Sequence, residues 1–304
     1  MRQNRGLGFP DVWGMSEGFS ADSTIDWAAV ELPDAWPDRL DWKHPLTGFR
    51  LVRQAMGRSR ARVELPEGLP GADGIAKYIL QEFHNLPNGN YSKRISAGYA
   101  RGFDRVMIGT MAEGRARLAQ ALAGARQAVD LGCGGGHTAA ALKASGIPDV
   151  TGIDPSPYLL QFAAKTHPGV RWRQGLAERT GLPDASMDAV AVCFLLHEVP
   201  PRYLLQILAE VRRILRPGGR LAVLEPSPEQ WRLSVWRVLR RYGWRGLYFK
   251  WLAQRAFEPF IEPWHKQPFG TRLAEHGFRV EADDSSCPFR FVLAVRDDGP
   301  PTVP

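Results

Sequence analysis

The chain has 304 residues, 44% of them hydrophobic, which is enough for a real core and excludes disorder throughout. Its three cysteines are scattered without the paired spacing of a zinc site or a disulfide framework, so a reducing compartment and no metal site are expected. A net charge of +7 points to an anionic partner, but no run approaches the ~18 apolar residues of a membrane span and the first residues lack a signal peptide's apolar core, which predicts a cytoplasmic protein.

Residues 1 to about 75 are rich in Pro, Gly and Trp with little periodicity, and predict loops and short helices that pack rather than catalyse. Residues 11 to 42 carry eight acids against the single base Arg39. From about Gly74 to Leu122 the pattern becomes more helical, interrupted by the turn-forming HNLPNGNYS. Its His84, Asn85, Asn88, Asn90 and Tyr91, with Tyr99 just downstream, are either a lid over a site or a polar turn. From Gln127 short apolar runs alternate with helical stretches. QAVDLG, VTGID, VRWRQG, MDAVAVCF and GRLAVLE read as strands, and TAAALKAS, YLLQFAAKT and YLLQILAEVRRIL as helices. In the last helix Leu204, Ile207, Leu208, Val211 and Leu215 share a face, and Pro217-Gly218-Gly219 is expected to end it.

FRVEAD and RFVLAVR add an edge hairpin. The fold class predicted is α/β, a doubly wound, mostly parallel seven-stranded sheet with helices on both faces. The expected division is an N-terminal extension or lid at 1–95, a catalytic domain at 96–298 with a helical cap inserted at about 229–266, and a flexible tail at 299–304. The cap segment carries eight Lys/Arg against three acids. Val235, Leu239 and Tyr242 form one stripe, and Leu247, Tyr248, Trp251 and Leu252 another.

Val129-Asp130-Leu131-Gly132-Cys133-Gly134-Gly135-Gly136-His137-Thr138 is an apolar strand running into glycines and then a helix, so backbone amides there can approach a ligand closely. Taken alone it is also a plain strand-to-helix turn. Asp154 ends the second strand, where its carboxylate can accept from both hydroxyls of a ribose. Glu178 follows the third.

The order DLGCGGG, GID, AERTGLPDASMDAV and RILRPGGRLAVLEP resembles the class I S-adenosylmethionine-dependent methyltransferases, most closely the branch with the ubiquinone and menaquinone biosynthesis methyltransferases. The resemblance covers roughly residues 99 to 225 well, 226 to 298 loosely and 1 to 90 not at all. It implies S-adenosylmethionine as cofactor, with S-adenosylhomocysteine as product. Asp130, Gly132, Cys133, Gly134 and Gly136 would hold the methionine part, Asp154 with Pro155 the ribose, and Ala177-Glu178 the adenine. Phe194, and Tyr99 from the lid, complete the implied cofactor set. One departure is Leu176, where this branch commonly has an acid that accepts from the adenine amino group. A dinucleotide oxidoreductase is the competing reading, but Gly-x-Gly-x-x-Gly begun at Gly132 would need a small residue where His137 stands.

Methyl transfer is an in-line displacement, so a base is needed only for an acceptor that arrives protonated. His197 after the fourth strand is the candidate base, with Glu198 to orient it or bind a cationic acceptor. Capping of the following helix is the plainer role for His197. His84, Tyr91, Tyr248, Trp264 and His265 are candidates for acceptor binding. The acceptor expected is a small molecule, with a hydrophobic one among the options, taking the methyl on O, N, S or C. A non-catalytic cofactor-binding subunit of the same fold is the alternative. Partner expectations are no nucleic acid, peripheral membrane contact through the basic aromatic segment, and a homodimer. The acidic flank at 11–42 and the basic segment at 229–266 are further expected to bury their aromatic rings against each other, walling the acceptor pocket.

Overall fold

The computed structural model describes residues 25–44, 46–48 and 62–297. Asp11, Glu17 and Asp22 of the acidic flank, and the expected tail at 299–304, lie outside them. Five parallel strands, β1 (Gln127–Leu131), β2 (Asp149–Asp154), β3 (Arg171–Gln174), β4 (Met187–Cys193) and β5 (Leu215–Pro226), are joined by an antiparallel hairpin of β6 (Phe278–Ser285) and β7 (Phe289–Arg296). The order is β3-β2-β1-β4-β5-β7-β6. The seven-stranded, doubly wound expectation and its edge hairpin are thereby met.

The central strands are apolar on both faces because both faces are covered. Val129, Leu131, Val190, Val192, Leu221 and Val223 enter one core, and Ala128, Ala189, Ala191, Ala222 and Leu224 the other. This two-residue alternation leaves small residues on the face met by α2 (Thr110–Ala121) and α3 (His137–Ala144). The opposite face is covered by α5 (Pro201–Ile214), whose Leu204, Ile207, Leu208, Val211 and Ile214 are all buried. Removing one such side chain to Ala typically costs about 2–5 kcal/mol.

The end of α5 departs from expectation. Leu215 is already extended (φ −68°, ψ 141°), so Pro217-Gly218-Gly219 falls inside β5 rather than stopping the helix. Pro217 disfavours helix at the residue before it, Gly218 takes φ +71°, and the β4–β5 register breaks between Met187 and Ala189.

Ahead of the sheet, α1 (Lys93–Val106) is capped by Ser92, whose Oγ accepts from the Ile95 amide. α4 (Pro157–Thr166) follows β2 under a Ser156 cap. After β5 come α6 (Glu229–Arg232), α7 (Val235–Arg255), α8 (Ile261–Lys266) and α9 (Phe269–Glu275). α7 breaks at Gly243 (φ 62°, ψ −156°), a conformation suited to glycine, and is in effect two helices. The face of α7 that is buried is Val238, Gly246 and Phe249. The expected stripes are instead half-buried or exposed: Val235 and Leu239 face solvent, and Tyr242 bonds Glu229.

Of the contact expected between the two flanks, the charge pairing is not seen among the described residues, while Trp42 lines one cavity together with Trp231 and Phe249 of the cap segment. Asp34 pairs with Lys93 at 2.6 Å, and Asp38 accepts from Ser92 Oγ and the amides of Lys93 and Arg94. Trp27 packs on Cys133, Leu160 and Ala164. Asp38 thus serves the exposed amides at the start of α1, where negative charge is favoured, and Asp34 a lysine of the same turn, rather than the arginines of the cap.

Candidate active site

Parallel strands leave a crevice at their carboxyl ends where the order reverses, here between β1 and β4. A cavity of about 160 Å³ lies there. Gly132 (φ +65°) and Gly134 (φ +52°) turn the chain out of β1. A Cβ at Gly132 would strike Leu195, whereas Gly134 faces open space. Asp130 is buried: its Oδ2 accepts from the Ala139 amide at 2.9 Å, its Oδ1 has no partner, and burial pushes the carboxyl up to about 8. Asp154 accepts from the Gly134 and Ser156 amides, each at 2.9 Å, and burial, partly offset by those amides, brings it to about 6. Arg115 of α2 also lines the cavity while held by two 2.8 Å bonds to Asp104. The arrangement offers a glycine turn and a guanidinium at one end, a carboxylate at the middle, and the apolar Leu176, Ala177 and Leu195 beyond.

Beside this cavity stands a cluster of two histidines and three glutamates. The chain after β4 turns through Leu196–Glu198 because Glu225, near the end of β5, accepts from the Leu195 and Leu196 amides at 2.8 and 2.7 Å. Glu225 Oε2 also lies 2.6 Å from His197 Nδ1. His197 is wholly buried; burial acts to lower its pKa, but Glu225, then Glu258 and Glu198, outweigh it and bring it to about 9. His84 arrives from the other side. Its Nε2 is 3.2 Å from Glu198 and 3.5 Å from Glu258. Its amide donates to the Phe257 carbonyl, and Asn85 Nδ2 donates to the Arg255 carbonyl, so the lid loop is fastened to the chain leaving α7. Burial raises the Glu198 carboxyl against the pull of the histidines. His84, Asn85 and Phe194 all have left-handed φ (55°, 60° and 58°), and such strain in bulky residues persists only where surroundings enforce it.

A second, largely apolar cavity of about 850 Å³ lies under α7, lined by Phe103, Val106, Met107, Trp231, Phe249 and Leu252, with His84 and Glu258 at its polar end. Tyr99, Phe103 and Phe194 line both cavities. Phe194 meets Phe103, His197 and Phe289 edge-on, which fixes the partition.

Of the residues singled out from sequence, Gly132, Cys133, Gly134, Asp154, Pro155, Ala177, Phe194, Tyr99, Tyr91 and Glu198 line the first cavity. Asp130 sits behind it, and Gly136 gives its space to Trp172. Glu178 is engaged by Tyr78, whose hydroxyl is 3.0 and 3.1 Å from its two carboxylate oxygens. Asn88 is buried and bonds Glu64 and Tyr91, a structural role. Trp264 packs in the core against Phe269, Tyr248 donates to the Val106 carbonyl, and His265 is a half-buried neighbour of Trp231 whose pKa burial lowers to about 4. Sequence reasoning missed Arg115, Glu225 and Glu258. Glu225 carried a signal, a lone acid ending an apolar strand as Asp154 does; the other two carried none.

The family model for a methyltransferase domain matches residues 129–223. The ubiquinone/menaquinone biosynthesis C-methyltransferase of Rubrivivax gelatinosus is 37% identical over 198 residues, covering 55% of this chain and 75% of that one. An uncharacterised methyltransferase of Synechocystis is 36% identical over 112 residues, 36% of this chain and 52% of that one. The chain spans about half the length of the first of the curated relatives it matches. Human N-acetylserotonin methyltransferase, solved in complex with S-adenosylmethionine, shares the fold with TM-score 0.51 and 18% identity, over 68% of this chain and 57% of that one.

Proposed function

The chain belongs to the class I S-adenosylmethionine-dependent methyltransferases, and from that premise we propose that it moves a methyl group from S-adenosylmethionine to a small, largely apolar acceptor bound beneath α7. The observation that carries this reading is the shared wall of Tyr99, Phe103 and Phe194 between a polar, glycine-floored cavity and a larger apolar one. The residues of the first cavity fit the cofactor. The orphaned Asp130 Oδ1 behind the loop, the open face of Gly134 and the Arg115 cation suit an amino acid, Asp154 a ribose, and Leu176 and Ala177 a purine ring.

When bound, the cofactor supplies a methyl group activated by its sulfonium. The chain's own work is to hold, orient and dry the two partners. Arg115, shared with Asp104, borders the end for the amino acid, Asp154 accepts from a diol, and the aromatic partition excludes water from the line between the cavities. Glu198 is the cluster's one carboxylate in the cofactor cavity, and its raised pKa suits it to take a proton from an acidic acceptor. His197 lines neither cavity; we assign it to positioning, held through Glu225. The lid at 62–92 and the cap from Glu229 to Lys266 wall the acceptor, a division that extends the domain reading.

The test is S-adenosylhomocysteine formation during incubation with a panel of lipophilic phenols, thiols and amines, beside calorimetric binding of S-adenosylhomocysteine. Tight binding with no product from any acceptor would favour the non-catalytic subunit. No binding at all would sink both readings.

A further inference from the structure

The cluster next to the partition has one feature that methyl transfer does not require. His197 Nδ1 is committed to Glu225 at 2.6 Å, and its Nε2 has no hydrogen-bond partner although the side chain is wholly buried. It looks across 3.8 Å at Glu258 Oε1, itself an acceptor. Glu258 in turn lies 3.5 Å from His84 Nε2.

We propose that His84, His197 and Glu258 form a site for one divalent metal ion of the zinc type. Their donor atoms all lie within 4.8 Å of one another. Bonds of about 2.0–2.2 Å in a tetrahedral shell place donors about 3.3–3.6 Å apart, so the gaps of 3.5 and 3.8 Å to Glu258 need little closing, while the two imidazole nitrogens, within 4.8 Å of each other, draw in by about 1 Å. Two imidazoles and one carboxylate are a donor set that zinc accepts with its fourth position open to water or substrate. Glu225 supplies the outer carboxylate that fixes a metal-binding histidine's tautomer. Glu198, 3.2 Å from His84, stands beside the site as a proton acceptor.

His84 and Glu258 line the apolar cavity, so two of the three ligands border the space assigned to the acceptor. Resting on the methyl-transfer reading, the step is this: an acceptor O–H or S–H ligates the ion and gives its proton to Glu198. Its oxygen or sulfur then bonds the methyl carbon as the carbon–sulfur bond of the sulfonium breaks, and S-adenosylhomocysteine leaves. The expectation of no metal site was drawn from cysteine spacing, which does not bear on ligands that lie far apart in sequence and include no cysteine.

The experiment uses the full chain, stripped with a chelator and titrated with Co²⁺ as a spectroscopic probe and with Zn²⁺ by calorimetry. S-adenosylhomocysteine affinity and thermal unfolding are read on the same samples. The expected result is one ion per chain with a visible Co²⁺ band of low-coordinate character. Glu258→Gln and His84→Ala should each weaken it at least tenfold without losing cofactor binding. No binding of either ion at micromolar concentration would overturn the site, and so would binding that both variants leave unchanged. Either result with cofactor affinity intact would leave the methyl-transfer reading standing, whereas loss of cofactor binding in the parent chain would strike that reading instead.

Discussion

Glu225 Oε2 lies 2.6 Å from His197 Nδ1, and neither side chain is exposed to solvent. The same carboxylate accepts from the amides of Leu195 and Leu196, so one residue near the end of β5 both shapes the turn after β4 and aims the imidazole it carries. Losing the carboxylate strands a buried imidazole and two amides at once. Glu225→Ala is therefore expected to destabilise the chain by about 3–5 kcal/mol, the usual cost of breaking a buried pair. Glu225→Gln keeps an acceptor for the amides and should cost less, while still lowering turnover. Urea unfolding of both variants checks this, and equal stability of Glu225→Ala and the parent would contradict it.

Asp154 gives a pH dependence with a definite sign. Burial raises its carboxyl to about 6 even though the Gly134 and Ser156 amides favour the ionised form. A ribose diol is held by the carboxylate, so binding favours deprotonation, and affinity must fall as pH drops through the raised pKa. Calorimetry should show S-adenosylhomocysteine binding tightening from about pH 5 to about pH 7 and then levelling, since the fully ionised site gains nothing further. Asp154→Ala should cost about 1.5–3 kcal/mol near neutrality, the range for hydrogen bonds to a charged group, and flatten the profile. A variant with the parent's slope would move the pH effect elsewhere.

The fold was legible where its signals are local. The alternation of Val129, Leu131, Val190 and Val192 with small residues is a two-residue period. The glycines after Leu131 mark the turn that builds the cofactor end. Asp154 was readable because a charge at the end of an apolar strand has few structural uses. The cluster was legible only in part. His197, Glu198 and His84 could be named, but Glu258 sits in a loop after a broken helix and reaches His84 only because the Phe257 carbonyl accepts from the His84 amide. The acidic flank misled for the same reason: its Asp38 has a partner in the amides opening α1, which charge counting does not see.

The apolar cavity makes a prediction that separates the two substrates. Leu252 is half-buried on the underside of α7 and lines that cavity but not the cofactor's. Leu252→Trp adds bulk where the acceptor is placed. KM for a lipophilic acceptor should rise by about tenfold, equivalent to about 1.4 kcal/mol, with S-adenosylhomocysteine affinity held within twofold. A parallel loss of both would place the cavity outside acceptor binding.

The outer face of the same helix bears on how such an acceptor would arrive. No helix among the described residues is long and apolar enough to cross a membrane. Yet Trp236, Trp244 and Trp251 are 74%, 66% and 53% exposed, and Arg237, Arg240 and Arg245 lie exposed beside them. Tryptophan rings settle at the boundary between headgroups and acyl chains, and each basic side chain near an anionic surface adds about 1 kcal/mol. Phe249 and Leu252, on the inner side, roof the apolar cavity, so a bilayer met by the outer face would be separated from that cavity by α7 alone. Sedimentation with vesicles should carry the protein down with phosphatidylglycerol and leave it in solution with phosphatidylcholine, with the pellet shrinking as salt rises and screening shortens the attraction. Replacing Trp236 and Trp244 together by Ala should cut the bound fraction several-fold with little shift in thermal unfolding, because those rings are largely exposed in the free protein. Equal pelleting with both lipids, or none with either, would remove the membrane from this reading and leave the acceptor to be collected from water.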